Sequence, residues 1–129
     1  MPSYLNPRFE RDDLKWISGN VILNRFGYRD REFDLTNRQK YRIYSLGDSY
    51  TYGWYINDLT KTYPKLIEKK LEDKYGQGIE VINASRPGFN LKESVIRFKQ
   101  EGILFSPDLV TLGINIFDIT DNFLSSNLL

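Results

Sequence analysis

The sequence of 129 residues contains no cysteine and no histidine. The absence of cysteine excludes disulfides, a thiolate nucleophile and sulfur ligands for a metal. With histidine absent as well, a zinc site would need carboxylates alone, so neither a metal nor another cofactor is expected. The charges nearly cancel, with 18 Lys and Arg against 17 Asp and Glu. The chain therefore has no field that would attract nucleic acid.

Long apolar runs are also absent, because none approaches the roughly 20 residues that a membrane-spanning helix needs. The amino-terminal stretch MPSYLNPRFERDDLKW is polar and charged, and it predicts neither a signal peptide nor a membrane anchor. A cytoplasmic location is therefore the default expectation. The hydrophobic content of 40% and the aromatic content of 15% are typical of a folded protein. The length fits a single domain.

Residues 1–40 are rich in Arg, Asp and Asn, and the segment N-R-F-G-Y-R-D-R-E-F within them places a glycine between aromatics. We interpret residues 1–40 as an irregular, turn-rich arm that packs Phe26, Tyr28 and Phe33 onto a domain formed by residues 41–129. A disordered leader is the alternative, and the aromatic residues disfavour it.

The remaining residues alternate between predicted strands and predicted helices, which is typical of a parallel sheet with right-handed crossovers. The strands are predicted over 41–46, 79–82 and 108–113, and residues 47–60 are predicted to form a loop. A first helix begins near Pro64 and ends at Gly76 and Gly78. A second helix begins at Asn90, with Glu93 completing a capping box, and ends before Gly102 and Pro107.

Apolar residues at helical spacing predict the buried face of each helix, with the charged residues on the opposite face. For the first helix these residues are Tyr63, Leu66, Ile67, Leu71 and Tyr75. For the second helix they are Leu91, Val95 and Phe98, with Ile96 beside them.

Polar loops follow all three predicted strands and should lie at one edge of the sheet. If the strand order is 2-1-3, ligands are expected beyond the carboxyl ends of the strands, where the order reverses. Ser49 directly follows the first strand, with glycines at positions 47 and 53. Thr51 stands where the G-x-S-x-G elbow of α/β-hydrolases requires glycine. The glycines also fit neither a phosphate loop nor a dinucleotide fingerprint.

Together these loops resemble the SGNH hydrolases, also called GDSL hydrolases, which are flavodoxin-like serine esterases and lipases. The residues L-G-D-S-Y-T-Y-G at 46–53 match the first block of that family, and N-A-S-R-P-G at 83–88 match its second block. The residues G-I-N at 113–115 supply part of the third block, G-x-N-D. An alternative register places the aspartate of this block at Asp118 and puts Phe117 in place of its asparagine.

The resemblance implies an α/β fold, namely a flavodoxin-like three-layer α/β/α arrangement with a parallel sheet that is incomplete in these residues. It also implies hydrolysis of small-molecule acyl esters. Ser49 would be the nucleophile. Its own backbone N–H, the N–H of Gly88 and the side-chain amide of Asn115 would form the oxyanion hole that stabilises the transition state.

The last family block, Asp-x-x-His, has no counterpart, and the resemblance ends near residue 122. A serine hydroxyl needs a neighbouring base before it can attack. Asp48 is interpreted as an acceptor that fixes its loop, whereas Asp118 and Asp121 are interpreted as solvated residues, one of them capping a short helix. These residues are therefore expected to provide a feeble esterase at most.

Three hypotheses account for the missing base. In the first, which we prefer, the chain is the amino-terminal part of a longer SGNH hydrolase, because three strands are few and strand 108–113 would be an apolar edge. In the second, the chain is a non-catalytic relative that binds acyl or sugar ligands. In the third, it is an unrelated flavodoxin-like binding or interaction module. A receiver domain fits poorly, because Asp48 lacks the partner residues that a receiver domain uses.

Overall fold

The computed structural model describes residue 21, residues 23–36 and residues 39–119. Residues 1–20 of the predicted arm lie outside the described part. The described elements, in chain order, are β1 (Tyr41–Leu46), α1 (Ser49–Tyr52), a 3-10 helix (Leu59–Lys61), α2 (Tyr63–Tyr75), β2 (Ile79–Asn83), α3 (Leu91–Gln100), a second 3-10 helix (Gly102–Phe105) and β3 (Leu109–Leu112).

The three strands form one parallel sheet in the order β2-β1-β3. This confirms the predicted mixed α/β fold with a parallel sheet, and the strand order is 2-1-3, the order for which ligands are expected beyond the carboxyl ends of β1 and β3. The central strand β1 has a partner strand on each side, and its side chains are buried from its second residue to its last. The prediction that residues 47–60 form only a loop was wrong, since this segment contains α1 and a 3-10 helix.

The predicted helix ends agree with the structure because they depend on local chemistry. Gly76 ends α2 with φ of 91°, a left-handed conformation that favours glycine. Asn90 and Glu93 form the predicted capping box at the start of α3. The Asn90 side chain accepts from the Glu93 N–H at 2.9 Å, and the Glu93 carboxylate accepts from the Asn90 N–H at 2.9 Å.

The buried face of α2 differs from the prediction. Leu66 and Ile67 are 42% and 40% exposed, whereas the charged residues Lys65 and Glu68 are buried. Lys65 and Glu68 are buried because they bond to the backbone at the outer edge of β2. The Glu68 carboxylate accepts from the Val81 N–H at 2.7 Å, and the Lys65 ammonium donates to the Val81 carbonyl at 2.6 Å. Among the described residues no strand pairs with this edge of β2. The charged pair therefore satisfies the N–H and the carbonyl of Val81.

The predicted buried face of α3 was wrong for Val95 and Ile96, which are exposed, while Ser94 and Arg97 are buried. Phe98 does pack inward, with its ring centroid 5.9 Å from that of Tyr44. Arg97 lies inside because its guanidinium donates to backbone carbonyls of the chain after β2.

The core beneath β1 is aromatic, and the arm contributes much of it. Tyr28 and Phe33 are buried, and the rings of Phe26, Tyr28 and Phe33 all pack against Phe105 at centroid distances of 5.1 to 6.2 Å. The packing predicted for these three aromatic residues of the arm is therefore observed. The Tyr28 hydroxyl also lies 2.6 Å from the Tyr44 hydroxyl, and burial raises the pKa of both phenols above the usual range.

Strand β3 is the least covered strand. Its apolar residues Leu109, Val110 and Leu112 are 46%, 38% and 39% exposed, and within the described residues its outer edge pairs with no other strand. None of the helices formed by the described residues is long and apolar enough to cross a membrane.

Candidate active site

Ser49 is the first residue of α1, directly beyond the carboxyl end of the central strand, and it is half-buried. Asp48 caps this helix, because its carboxylate accepts from the Tyr50 N–H at 2.9 Å. Gly47 permits the tight turn between strand and helix, since a β-carbon at this position would overlap the Thr51 hydroxyl. In the motif G-D-S, the glycine therefore allows the backbone to approach Thr51 closely, the aspartate caps α1, and the half-buried serine begins the helix.

The far end of α1 is fixed by glycine and arginine. Gly53 adopts φ of 81°, and its N–H donates to the Ser49 carbonyl at 3.1 Å. The guanidinium of Arg29, from the arm, donates to the carbonyls of Tyr52 at 3.1 Å and Gly53 at 2.7 Å, and also to that of Ile56. Arg29 is 2% exposed, and burial lowers its pKa from the ordinary value.

The loop after β2 carries Gly88 in a turn. The Phe89 N–H donates to the Arg86 carbonyl at 3.2 Å, with Pro87 and Gly88 at the two central positions. Gly88 has φ of 82° and is exposed, which fits the glycine position of a type II turn. The Arg86 N–H donates to the Gly47 carbonyl at 3.1 Å. This bond joins the loop of Gly88 to the loop of Ser49.

The loop after β3 places Asn115 against Asp48. The amide nitrogen of Asn115 donates to the Asp48 carboxylate, and its Oδ1 accepts from the N–H of Phe117 at 2.7 Å. Asp118 is buried and accepts from the Asn115 N–H at 2.8 Å. The prediction that Asp118 is solvated was wrong, although a capping role fits, since residues 116–119 are helical. Asp121 lies outside the described residues.

The three predicted site residues therefore follow three neighbouring strand ends. Asn115 bonds to the residue before Ser49, and the Gly88 loop bonds to the residue two before it. An amide has two N–H donors, so Asn115 can donate one to Asp48 and keep one for a ligand. The arrangement can present a hydroxyl together with hydrogen-bond donors.

A base is missing from the described part of the site. Among residues 23–36 and 39–119, no side chain makes a hydrogen bond to the Ser49 hydroxyl, and no group of three potential metal ligands occurs. Asp48 is occupied by the Tyr50 N–H and by Asn115.

Sequence reasoning did not identify the charged residues that support these loops. Arg97 donates to the Ala84 carbonyl at 2.9 Å and to the Ser85 carbonyl at 3.4 Å, and its guanidinium lies 5.0 Å from the centre of the Phe89 ring. Arg29 supports α1 from the arm. The available signal was the segment N-R-F-G-Y-R-D at 24–30, which was interpreted as part of a turn-rich arm without a role for Arg25 or Arg29.

Comparison with known proteins found no matching family model, no matching curated protein and no matching solved structure.

Proposed function

We propose that this chain carries the nucleophile side of an SGNH-type hydrolase that acts on acyl esters. Ser49 is the nucleophile, and the N–H groups of Ser49 and Gly88 with the amide of Asn115 form the oxyanion hole. One observation carries the proposal. Ser49 begins a helix at the end of the central strand, and both other loops are hydrogen-bonded to its neighbours Gly47 and Asp48.

The chemistry follows from the requirements of acyl transfer. The Ser49 oxygen attacks the ester carbonyl, its proton passes to a base, and the alcohol leaves with a proton when the tetrahedral intermediate collapses. Donors at the oxyanion position stabilise the negative charge of the intermediate. Because the described residues supply no base, hydrolysis by this chain alone should retain only what binding and the oxyanion hole contribute, about 10³–10⁴-fold over water.

The proposed fold is the flavodoxin-like three-layer arrangement. Two observations support it. Tyr44 of the central strand contacts Phe98 of α3, whereas the charged residues of α2 bond to the backbone of β2. The crossover from β1 to β2 and the crossover from β2 to β3 run in opposite directions along the sheet, and right-handed crossovers of opposite direction bring α2 and α3 to opposite faces.

The alternative function is a non-catalytic module that binds ligands with the same loops. It is favoured by one observation, the hydrogen bond that engages the Asn115 amide with Asp48 in the absence of a base.

Labelling with a fluorophosphonate probe, followed by identification of the labelled residue, tests the proposal. We expect slow labelling of Ser49, found by peptide mass spectrometry and lost in Ser49→Ala. Added imidazole should accelerate labelling in proportion to its concentration, because it supplies the missing base from solution. Labelling spread equally over several serines, or a rate that imidazole leaves unchanged, would overturn the hydrolase proposal in favour of the binding module.

A further inference from the structure

We infer that Arg29, a residue of the arm, is a positioning residue that fixes the helix bearing Ser49. The inference rests on the proposed function for its catalytic meaning, because it assigns the group that keeps the candidate nucleophile in place. Arg29 acts on Ser49 only through the backbone of α1 and the turn that follows.

The first argument is the number of carbonyls that one side chain satisfies. Arg29 donates to the carbonyl oxygens of Tyr52, Gly53 and Ile56. The last carbonyls of a helix have no partner inside the helix, and α1 has only four residues. A helix this short is not stable by itself, so its persistence depends on groups outside it.

The second argument is the shape of the space that Arg29 occupies. A β-carbon on Gly53 would lie 3.1 Å from the Arg29 Nη1 and 2.5 Å from a methyl carbon of Thr62. The guanidinium also lies 5.4 Å from the centre of the Tyr52 ring. The planar fork of arginine suits this combination of carbonyls and an aromatic face, and lysine would match it only in part.

The third argument is that the backbone of Arg29 is itself anchored. The next residue, Asp30, is buried. Its carboxylate accepts from the Asn83 N–H at 2.8 Å and pairs with the Lys65 ammonium at 2.7 Å. Asn83 is the last residue of β2, directly before the loop of Gly88. Two consecutive residues of the arm thus bind the end of α1 and the end of β2. Because one peptide bond joins these two residues, the end of α1 is held at a fixed position relative to the end of β2.

The test uses a single thiol, because the sequence contains no cysteine. The thiol introduced by Ser49→Cys is alkylated in separate reactions with iodoacetamide and with a bulky polyethylene-glycol maleimide. The ratio of the two rates, bulky over small, reports access to position 49. The fraction of thiolate affects both rates equally and cancels in the ratio.

We expect Arg29→Ala to raise this ratio about tenfold, because α1 opens locally when its carbonyls lose their donor. Arg29→Lys should restore part of the protection. The matched control is Arg31→Ala, which removes an arginine that pairs with Glu68 and Glu80 rather than with α1. It should leave the ratio unchanged while lowering overall stability.

An equal rise in Arg29→Ala and Arg31→Ala would show a global effect and overturn the inference, as would an unchanged ratio in Arg29→Ala. If Arg29→Ala does not fold, as judged by circular dichroism, Arg29→Lys compared with Arg31→Lys decides by the same criterion. Fluorophosphonate labelling distinguishes a failure of the positioning role of Arg29 from a failure of the proposed nucleophilic role of Ser49. A ratio that responds to Arg29 in a chain whose Ser49 never labels supports the positioning role and refutes the hydrolase.

Discussion

Three buried carboxylates among the described residues bond to backbone N–H groups, and two of them also pair with cations. Glu68 accepts from the Val81 N–H, Asp30 from the Asn83 N–H and Asp118 from the Asn115 N–H. Such bonds stabilise the charged form of a carboxylate and satisfy donors that would otherwise be buried without a partner. Charge in this fold therefore completes the backbone hydrogen bonding of strands and helix ends.

Asp48 is a position where the cap of α1 can be tested through stability, because its Oδ1 accepts from the Tyr50 N–H while its Oδ2 accepts from the Asn115 amide. Asp48→Ala should lower the free energy of unfolding by about 1 kcal/mol, because the Tyr50 N–H loses its acceptor. Asp48→Asn should cost less than about 0.5 kcal/mol, since asparagine caps helices about as well. Urea denaturation followed by circular dichroism measures both values. Equal losses in the two variants would contradict the capping role.

Glu68 should make stability depend on pH. Burial raises its pKa, but the Arg31 hydrogen bond, the Lys65 charge and the Val81 N–H lower it, and the net pKa is below its ordinary value. A depressed pKa in the folded state stabilises the protein above the unfolded value, about 4.3, and this stabilisation disappears as the pH falls through the folded value.

Glu68→Gln should therefore destabilise the protein by about 3 kcal/mol at pH 7, because a buried ion pair loses one partner. The difference from the parent chain should shrink as urea melts are repeated toward pH 3. The control is Asp73→Asn, which breaks an exposed pair with Lys69 and should cost less than about 0.5 kcal/mol. A Glu68→Gln difference that is independent of pH would refute this account.

At the scale of elements, both long helices turn polar or charged residues inward. For α3 this predicts an unusual pattern of mutational effects. Arg97→Ala should cost about 3 kcal/mol, since it removes donors from two carbonyls and leaves the Glu101 carboxylate without the cation that lies 3.4 Å from it. Ile96→Ala should cost less than about 0.5 kcal/mol, because Ile96 is exposed.

Denaturant melts of the two α3 variants measure this difference. The opposite order, with Ile96→Ala the more damaging variant, would mean that the apolar face of α3 is covered in solution. The cost of Arg97→Ala should also appear as faster proteolysis in the Gly88 loop, since Arg97 bonds to the chain that leads into it.

Features that depend on residues close together in the chain could be predicted from the sequence. The parallel sheet follows from alternating elements, and the caps at Asn90 and Gly76 follow from residue types at fixed positions. The inward faces of the helices could be predicted only at single positions such as Phe98. Hydrophobic periodicity assumes that burial is apolar, whereas Lys65 is drawn inward by a backbone carbonyl of β2.

The candidate site divides in the same way. Ser49, Gly88 and Asn115 could be placed from motifs and strand ends. The support of α1 could not, because Arg29 contacts carbonyls 23 to 27 residues further along the chain. Asp118 was misjudged because its acceptor role depends on the turn that Asn115 adopts after β3. Contacts of this range require the packed chain.

At the scale of the whole molecule, the exposed apolar strand β3 predicts self-association. An uncovered hydrophobic edge strand is a template for pairing with another chain. Sedimentation velocity should show a second species at concentrations of order 100 μM. Val110→Lys should abolish it, because a lysine on β3 opposes edge pairing.

Tyr75→Lys is the control, because Tyr75 is an exposed aromatic residue on α2 outside β3. It should leave the association unchanged. If Tyr75→Lys and Val110→Lys suppress association equally, the contact does not involve the edge of β3.

The two edges of the sheet, β2 and β3, differ in how far their backbone groups are already hydrogen-bonded, and this difference limits the size of any assembly. On the β2 border, Glu68, Lys65 and Asp30 already occupy backbone groups that an incoming chain would need. Among the described residues, the edge of β3 is the one whose backbone groups are not occupied in this way, so two molecules that join through β3 would have no second free edge in this sheet. We therefore expect pairing through β3 to stop at a symmetric pair rather than to propagate into fibres.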